Sequence, residues 1–160
     1  MQTDKKIVPR NQVREIARKL KEENKKIVFT NGCFDILHSG HVVLLEKARS
    51  QGDVLILGIN TDESVKRLKG DKRPINNQFE RSRVLAGLEA IDYVTFFAED
   101  TPAEIINEIV PDVLVKGGDY DKDQIVGRKT VEKNGGKVIV IPLVKGRSTS
   151  RTIDRIKQKY

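Results

Sequence analysis

The sequence has 160 residues, of which 38% are hydrophobic and 33% are charged. This length corresponds to one average domain, and the composition is too apolar for a disordered chain. No run approaches the roughly 20 apolar residues of a membrane-spanning helix, and the start lacks an apolar signal core, so we expect a cytoplasmic protein without membrane contacts. Cys33 is the single cysteine, which excludes an internal disulfide and a multi-cysteine zinc site.

The net charge of +7 is unevenly distributed. Residues 1–26 and residues 145–160 each carry a net charge of +5, whereas the residues between them carry −3. Basic ends can bind nucleic acid, but the chain has few aromatic side chains for base stacking and no DNA-reading motif. We therefore interpret both ends as solvated helices with basic outer faces, and we expect small molecules rather than nucleic acid as partners.

Helix and strand patterns alternate along the chain. Apolar residues at helical spacing predict a first helix with Asn11 as its cap, and Thr101-Pro102-Ala103-Glu104 predicts a helix start capped by Thr101. Nearly unbroken apolar runs predict strands that are covered on both faces. In chain order we predict helix 10–25, strand 26–31, helix 41–50, strand 54–59, helix 61–68, helix 79–90, strand 93–97, a helix beginning at 101–104, strand 113–116, helix 124–134, strand 137–141 and helix 149–159.

This alternation predicts an α/β fold, a Rossmann-like parallel five-stranded sheet with helices on both faces. In such sheets, ligands bind beyond the carboxyl ends of the strands. The residues that follow the predicted strands also hold most of the unusual chemistry of the chain, in segments 31–41, 60–62, 116–120 and 146–150. We therefore expect the functional site at this edge of the sheet.

The two histidines of the chain, His38 and His41, lie where the loop after the first strand becomes a helix. Gly40 between them leaves space for a ligand to approach the backbone. A helix N-terminus offers unpaired N–H groups and the positive end of the helix dipole. Because imidazoles can donate hydrogen bonds to phosphate oxygens, the pattern predicts a compact anion site that stabilises charge during phosphoryl transfer.

Other interpretations fit part of this pattern. A histidine can be a helix cap or a satisfied core residue, and both histidines could bind zinc with Cys33 and Asp35, although these ligands would crowd one short loop. Cys33 precedes His38 by five residues but lies in no recognisable nucleophile motif. No G-x-x-x-x-G-K-[ST] P-loop occurs, so a nucleotide would have to be bound in another way.

Residues 31–41, N-G-C-F-D-I-L-H-S-G-H, resemble the first motif of the nucleotidyltransferase superfamily that bears the H-x-G-H signature. Residues 146–150, G-R-S-T-S, resemble the S-T-T motif of this superfamily, with Ser150 in place of the final threonine. Over about residues 26–157 the chain resembles the adenylyltransferase domain of bacterial ADP-heptose synthase, on segments 58–62, 66–74, 88–93 and 114–120.

In many bacteria that domain is fused behind a sugar kinase, and we expect this chain to be the stand-alone form. We accordingly predict a single nucleotidyltransferase domain over residues 1–160, with an N-terminal helix in 1–25 and a catalytic core in 26–160.

The resemblance implies adenylyl transfer from ATP to D-glycero-D-manno-heptose 1-phosphate, which yields pyrophosphate and ADP-heptose, a precursor of the lipopolysaccharide core. The acceptor phosphate has a second pKa of about 6 and is largely a dianion at neutral pH, so the reaction needs neither a protein nucleophile nor a general base. Mg²⁺ is expected to be carried by ATP, with no protein cage and no zinc. A homodimer or a higher homo-oligomer is the family expectation.

The resemblance also implies roles for individual residues. The catalytic set is His38 and His41 with basic residues of the loop near the triphosphate, Lys69 and Arg73, and with Lys72 as the third basic residue of that loop. The nucleotide-binding set comprises Thr30, Asn31, Gly32, Cys33, Phe34, Asp35, Gly40, Lys116, Gly117, Asp119, Ser148 and Thr149. The acceptor-binding set comprises Asn60, Asp62 and Arg81.

Sibling enzymes of the superfamily remain as alternatives, namely cytidylyl transfer to glycerol 3-phosphate and adenylyl transfer to FMN. The cytidylyl branch tends to have an arginine between the last strand and the S-T-T motif. Leu143 and Val144 stand there in this chain, which favours ATP. The alternative from another class is a nucleic-acid-binding Rossmann-like module that uses the basic ends.

Overall fold

The protein is described from a computed structural model that covers residues 2–118 and 121–160. Within these ranges, five parallel strands form one sheet in the spatial order β3-β2-β1-β4-β5. This confirms the predicted α/β fold class. The strands are β1 (Ile27–Gly32), β2 (Val54–Asn60), β3 (Tyr93–Phe97), β4 (Val113–Gly117) and β5 (Lys137–Ile141).

Helices cover both faces of the sheet. On one face α1, α5 and α6 pack against side chains such as Phe29 and Ile56, and on the other α2 and α4 pack against Val28 and Leu57. Every residue of β2 is buried, because this strand has neighbours on both edges and helices on both faces. The helices are α1 (Val13–Glu22), α2 (Ser39–Arg49), α3 (Asp62–Lys69), α4 (Gln78–Ala86), α5 (Ala103–Ile109), α6 (Arg128–Lys133) and α7 (Thr149–Lys159).

The N-terminal segment is less regular than the helix predicted over residues 10–25, because two 3-10 turns precede α1. A 3-10 turn over Gln2–Lys6 is followed by a bridge in which Ile7 pairs in parallel with Val94 at the β3 edge. The ammonium group of Lys6 donates hydrogen bonds to the carbonyls of Leu88 and Ile91, at 3.2 and 2.6 Å. The segment therefore protects the edge of the sheet before α1 begins.

Two predicted helix caps are wrong. Arg10–Gln12 form a 3-10 turn, so α1 begins at Val13 and Asn11 lies outside its cap position. Pro102 occupies the cap position of α5, which places Thr101 one residue too early to cap that helix.

Several predicted helix boundaries also differ from the structure. The helix predicted over 79–90 ends at Ala86, and the one predicted over 124–134 is a 3-10 turn at Lys122–Gln124 followed by α6. Gly127 lies between these two elements with a φ of 87°, a conformation that breaks regular helix. Strand boundaries agree within a residue because apolar runs mark them directly.

Candidate active site

A cleft of about 540 Å³ opens at the carboxyl edge of the sheet. The chain passes to β2 and β3 on one side of β1, and to β4 and β5 on the other, so this edge contains the topological switch at which open α/β sheets bind ligands. Twelve of the residues predicted for the site line the cleft: Asn31, Gly32, Cys33, Phe34, Asp35, His41, Asn60, Lys69, Arg73, Lys116, Gly117 and Thr149.

The two histidines meet at the start of α2. Their rings stack with centroids 3.8 Å apart and an interplanar angle of 20°. His38 is the extended residue that precedes the helix, and His41 is the third helical residue, so the spacing of three brings both side chains to the same side of the first turn. His41 lines the cleft, whereas His38 lines an adjoining cavity of about 370 Å³.

Hydrogen bonding determines which nitrogen of His41 carries the proton. The backbone N–H of His38 donates to Nδ1 of His41 at 3.4 Å, so the neutral ring is protonated at Nε2. Burial and, to a smaller extent, the neighbouring His38 together lower the pKa of His41 to about 4. Burial also lowers the pKa of His38, with a contribution from the Arg147 guanidinium. At neutral pH, His41 is therefore an uncharged hydrogen-bond donor.

Gly40 is closely packed by neighbouring side chains. A Cβ atom at this position would lie 3.0 Å from Nδ1 of His38 and 3.3 Å from Cβ of Arg147. In this conformation side chains fill the space beside Gly40, and the approach of a ligand to its backbone stays a prediction. A glycine is needed here because the His38 ring folds back over the first turn of α2.

Phe34 supports the histidine pair from the loop after β1. Its backbone has a φ of 48°, in the left-handed region that non-glycine residues rarely adopt. This conformation places its ring 5.0 Å from the His41 ring and against Gly32, where a Cβ atom would lie 2.8 Å from the Phe34 ring. The strained backbone of Phe34 thus places its ring so that it contacts and orients the His41 ring.

Asp35 connects the loop after β1 to the loop before α4. Its side chain has no exposed surface and accepts hydrogen bonds from Nε of Arg73 at 2.5 Å and from the backbone N–H groups of Ile75 and Asn76 at 2.9 Å. Burial alone raises the pKa of Asp35, but these donors outweigh burial and hold the pKa below its usual range. The carboxylate acts on the 73–76 loop, and its side chain does not contact the cleft as a ligand group.

Three cationic side chains reach the cleft from different elements. Lys69 ends α3, Arg73 follows it in the loop, and Lys116 lies near the end of β4. The ammonium group of Lys116 donates to Oδ1 of Asn31 at 3.1 Å, and burial lowers the pKa of this lysine. An anion in the cleft would favour the charged form of Lys116. Lys72, the third basic residue of the loop, does not line the cleft.

The start of α7 forms the far wall of the site. Ser148 caps this helix, and its hydroxyl accepts a hydrogen bond from the backbone N–H of Arg151 at 3.1 Å. The Thr149 hydroxyl donates to the carbonyl of Ile36 at 3.3 Å, which fixes α7 to the loop that leads into the histidine pair. Thr149 lines the main cleft, and Ser148 lines the adjoining cavity with His38.

Arg81 and Asp62, predicted to bind the acceptor, form an ion pair in which the Asp62 side chain is 28% exposed. The Arg81 side chain has no exposed surface, and its guanidinium donates to Asp62 at 2.8 Å and to the carbonyls of Cys33, Asn60 and Asn76 at 2.6–3.0 Å. A buried side chain cannot contact a soluble phosphate without rearrangement. In this conformation Arg81 has a structural role, because this one side chain joins the ends of β1 and β2 to the 70–77 loop. Its contact with the acceptor stays a prediction.

Thr30 and Asp119 are the remaining residues that were predicted to bind the nucleotide. Thr30 is buried, and its hydroxyl donates to the carbonyl of Val115 at 2.9 Å, which joins β1 to β4 rather than facing a ligand. Asp119 lies outside the described residues. Of the predicted acceptor-binding residues, Asn60 alone lines the cleft, where its amide accepts from the Cys33 thiol at 3.7 Å and donates to Ser64 at 3.0 Å.

Sequence reasoning missed several residues of the site. Leu44, Leu68, Phe97 and Pro102 give parts of the cleft an apolar surface, and Asp100 adds a carboxylate. The position of Asp100 after the third predicted strand was a usable signal, since the carboxyl end of every strand meets this edge. The apolar residues carried no signal, because their patterns are those of ordinary core positions.

The chemistry available in this cleft is the stabilisation of negative charge. A neutral Nε2–H donor stands near several cations at the start of a helix, an arrangement suited to oxygens that gain charge. Burial raises the pKa of the Cys33 thiol, so the thiol stays protonated and is a poor nucleophile. Among the described residues, no group of three or more His, Cys, Asp or Glu side chains is placed to hold a metal ion.

A parallel α/β sheet with a histidine pair, a helix start and cations at its carboxyl edge has the geometry and charge to bind the phosphates of a nucleotide. Residues 29–155 match the family described as cytidylyltransferase-like, and the chain belongs to this family. It is therefore a nucleotidyltransferase. None of its described helices combines the length and the apolar character needed to cross a bilayer.

The curated relatives are larger proteins. The chain is 57% identical over 136 residues to the bifunctional protein HldE of Citrifermentans bemidjiense, a match that covers 85% of this chain and 28% of the relative. It is 50% identical over 160 residues to the bifunctional protein HldE of Syntrophotalea carbinolica, covering 100% of this chain and 33% of the relative. The chain thus spans about a third of the length of these relatives.

Solved structures share the fold. The lipopolysaccharide core biosynthesis protein of Thermoplasma volcanium superimposes with a TM-score of 0.62 at 26% identity, over 77% of this chain and 99% of that chain. The pantoate-beta-alanine ligase of Francisella tularensis superimposes with a TM-score of 0.60 at 21% identity, over 90% of this chain and 68% of that chain. The second likeness concerns the fold alone.

Proposed function

We propose that the protein transfers the adenylyl group of ATP to the phosphate of D-glycero-D-manno-heptose 1-phosphate, with release of pyrophosphate and formation of ADP-heptose. The observation that carries the proposal is the meeting of His41, Lys69, Arg73 and Lys116 in one cleft. The likeness to the HldE proteins and to a lipopolysaccharide core biosynthesis protein supports a sugar phosphate as the acceptor.

The reaction is a direct displacement. An oxygen of the acceptor phosphate forms a bond to the α-phosphorus of ATP, and the bond from that phosphorus to the bridging oxygen of the β-phosphate breaks. The acceptor dianion and ATP⁴⁻ together carry the same charge as the ADP-sugar dianion and P₂O₇⁴⁻, so the transfer requires no proton. Because the acceptor is already ionised at neutral pH, the protein contributes positioning and charge stabilisation.

We assign the stabilisation of charge at the α-phosphate to His41. Its Nε2–H donates to an α-phosphate oxygen as charge develops there, and the Phe34 ring and the His38 backbone hold the imidazole in place. A neutral donor suits this position because it stabilises added charge without first forming a tight ion pair with the substrate. His38 and the start of α7 take the β- and γ-phosphates.

Cationic side chains of the cleft stabilise the remaining negative charge of the triphosphate. Lys69 and Arg73 lie on the loop side of the cleft and Lys116 on the β4 side, so together they surround a bound triphosphate. The nucleotide side of the cleft is lined by residues of the loop after β1 and of the end of β4, namely Asn31, Gly32, Cys33, Phe34 and Gly117. Mg²⁺ enters as part of the Mg·ATP substrate, since this ion keeps several waters and is usually held by substrate phosphates rather than by an all-protein cage.

The experiment is pyrophosphate release measured with ATP and CTP against three acceptors, heptose 1-phosphate, glycerol 3-phosphate and FMN. The proposal expects turnover with ATP and the heptose phosphate, and slower turnover by at least an order of magnitude with every other pair. Preferred turnover of CTP with glycerol 3-phosphate, or of ATP with FMN, would replace this proposal with a sibling activity. RNA binding without turnover of any nucleotide would place the chain in another class.

A further inference from the structure

One end of the cleft differs in chemistry from the rest. β3 and the loop that follows it contribute Phe97, Asp100 and Pro102, whereas β2 and the segments after it contribute Asn60 and Leu68 together with the cations Lys69 and Arg73. No cation of the described chain lines the cleft from β3 or from the loop that follows it. An apolar surface with a few fixed polar groups is typical of sites that bind the carbon skeleton and hydroxyl groups of a sugar.

Asp100 differs from Asp35, the other carboxylate among the described residues that line the cleft. Asp35 has no exposed surface and is bonded to three donors. The Asp100 side chain is 63% exposed and receives one ion pair, from Nε of Arg67 at 2.8 Å. A carboxylate has about four acceptor positions, so Asp100 can accept further hydrogen bonds from a ligand.

The segment that carries Asp100 is held in place before any ligand binds. The Arg67 guanidinium bonds both Asp100 and the carbonyl of Ala98, which ties the segment to α3. The Ser64 hydroxyl donates to the carbonyl of Glu99 at 3.1 Å and accepts from Nδ2 of Asn60 at 3.0 Å. Little conformational freedom therefore has to be lost when a ligand bonds to Asp100.

We propose that Asp100 determines acceptor specificity, because its carboxylate accepts hydrogen bonds from hydroxyl groups of a phosphorylated polyol that occupies the β2–β3 end of the cleft. This inference rests on the proposed function for the position of the acceptor. A carboxylate accepts bonds from hydroxyls and repels a second phosphate, so Asp100 directs the polyol to its own end. The phosphate of the acceptor is thereby turned toward Lys69, Arg73 and the histidine pair.

The test compares Asp100→Ala and Asp100→Asn with the wild type on two acceptors. One is the hydroxylated acceptor that the wild type prefers, and the other is propyl phosphate, which offers a phosphate without hydroxyl groups. We expect kcat/KM for the hydroxylated acceptor to fall about tenfold in Asp100→Ala, the lower end of the range for a hydrogen bond to a charged group. Asp100→Asn keeps one acceptor oxygen and is expected to lose about threefold.

Two readouts separate this role from a structural one. Turnover of propyl phosphate and the KM for ATP should both stay at wild-type values in the Asp100 variants. Glu63→Ala is the matched control, because it removes another ion-paired carboxylate, bonded to Lys66 at 2.9 Å on the same helix as Arg67, without touching the cleft. This control should leave both acceptors unchanged.

The inference is overturned if Asp100→Ala uses the hydroxylated acceptor like the wild type, or if both acceptors and ATP are affected alike. Its failure is distinguishable from that of the proposed function. If the wild type prefers glycerol 3-phosphate or FMN, the heptose proposal fails, while the same comparison with propyl phosphate still decides the role of Asp100. If no hydroxylated phosphate supports pyrophosphate release, both are wrong.

Discussion

Replacing His41 by alanine tests the central element of the proposed mechanism. The change removes the Nε2–H donor, the stacking partner of His38 at 3.8 Å and the ring beside Phe34. Loss of one preorganised donor to developing charge lowers kcat by about 10²–10³. The KM for ATP should change much less, because a donor that acts on developing charge contributes mainly in the transition state.

The same substitution has a signature in stability. The folded protein holds the pKa of His41 at about 4, against 6.5 for an unperturbed histidine. As the pH falls from about 6.5 to about 4, the unfolded chain binds a proton that the folded protein does not, so the wild type loses stability over this range and retains it above. The loss has a ceiling of about 3 kcal/mol, which solvent at the partly exposed ring reduces to about 2 kcal/mol.

The assay combines pyrophosphate release at neutral pH with urea unfolding at a series of pH values. We expect His41→Ala to be nearly inactive and to show a flatter dependence of unfolding free energy on pH between 6.5 and 4 than the wild type. His38→Ala serves as the comparison, since it removes the neighbouring ring while leaving the His41 imidazole. A folded His41→Ala protein with near wild-type kcat would refute the donor role, and an unchanged pH dependence would refute the assignment of the low pKa.

Four further predictions follow from the site. Gly40→Ala should lower kcat by a larger factor than it lowers the folding equilibrium constant, because its methyl group displaces the His38 ring by a few tenths of an ångström; unchanged kinetics would contradict this. Asp35→Asn should loosen the loop that carries Arg73, lower the free energy of unfolding by about 1–3 kcal/mol and raise the KM for ATP; an unaltered free energy of unfolding would contradict the role of Asp35 in holding this loop. EDTA should stop turnover and excess Mg²⁺ should restore it, and activity in EDTA would exclude Mg·ATP as the substrate. ATP labelled at the α-phosphate should leave no label on the protein without an acceptor; stable label, for example on Cys33, would indicate a covalent intermediate.

The order of helices and strands was readable from the sequence because it depends on local patterns. Buried strands such as β2 are continuous apolar runs, and apolar residues of amphipathic helices recur every 3.6 residues. Each element can therefore be recognised from a window of about ten residues. The alternation of the two patterns implies a parallel sheet, and the sheet in turn locates its ligand edge. The histidine spacing in residues 38–41 could be read for the same reason, since a helix start brings these positions together.

The roles of charged side chains required the tertiary structure. From the sequence, Asp62 follows a strand end and Arg81 lies at the start of a predicted helix, and both fit a substrate site as well as Asp100 does. In the folded protein Arg81 is buried against three carbonyls and Asp62, while Asp100 remains exposed in the cleft. Whether a charged group faces a ligand or the protein depends on partners distant in the chain, such as Asn76 for Asp35. Local sequence patterns do not indicate those partners, because these hydrogen bonds and this burial form only when separate loops come together in the folded protein.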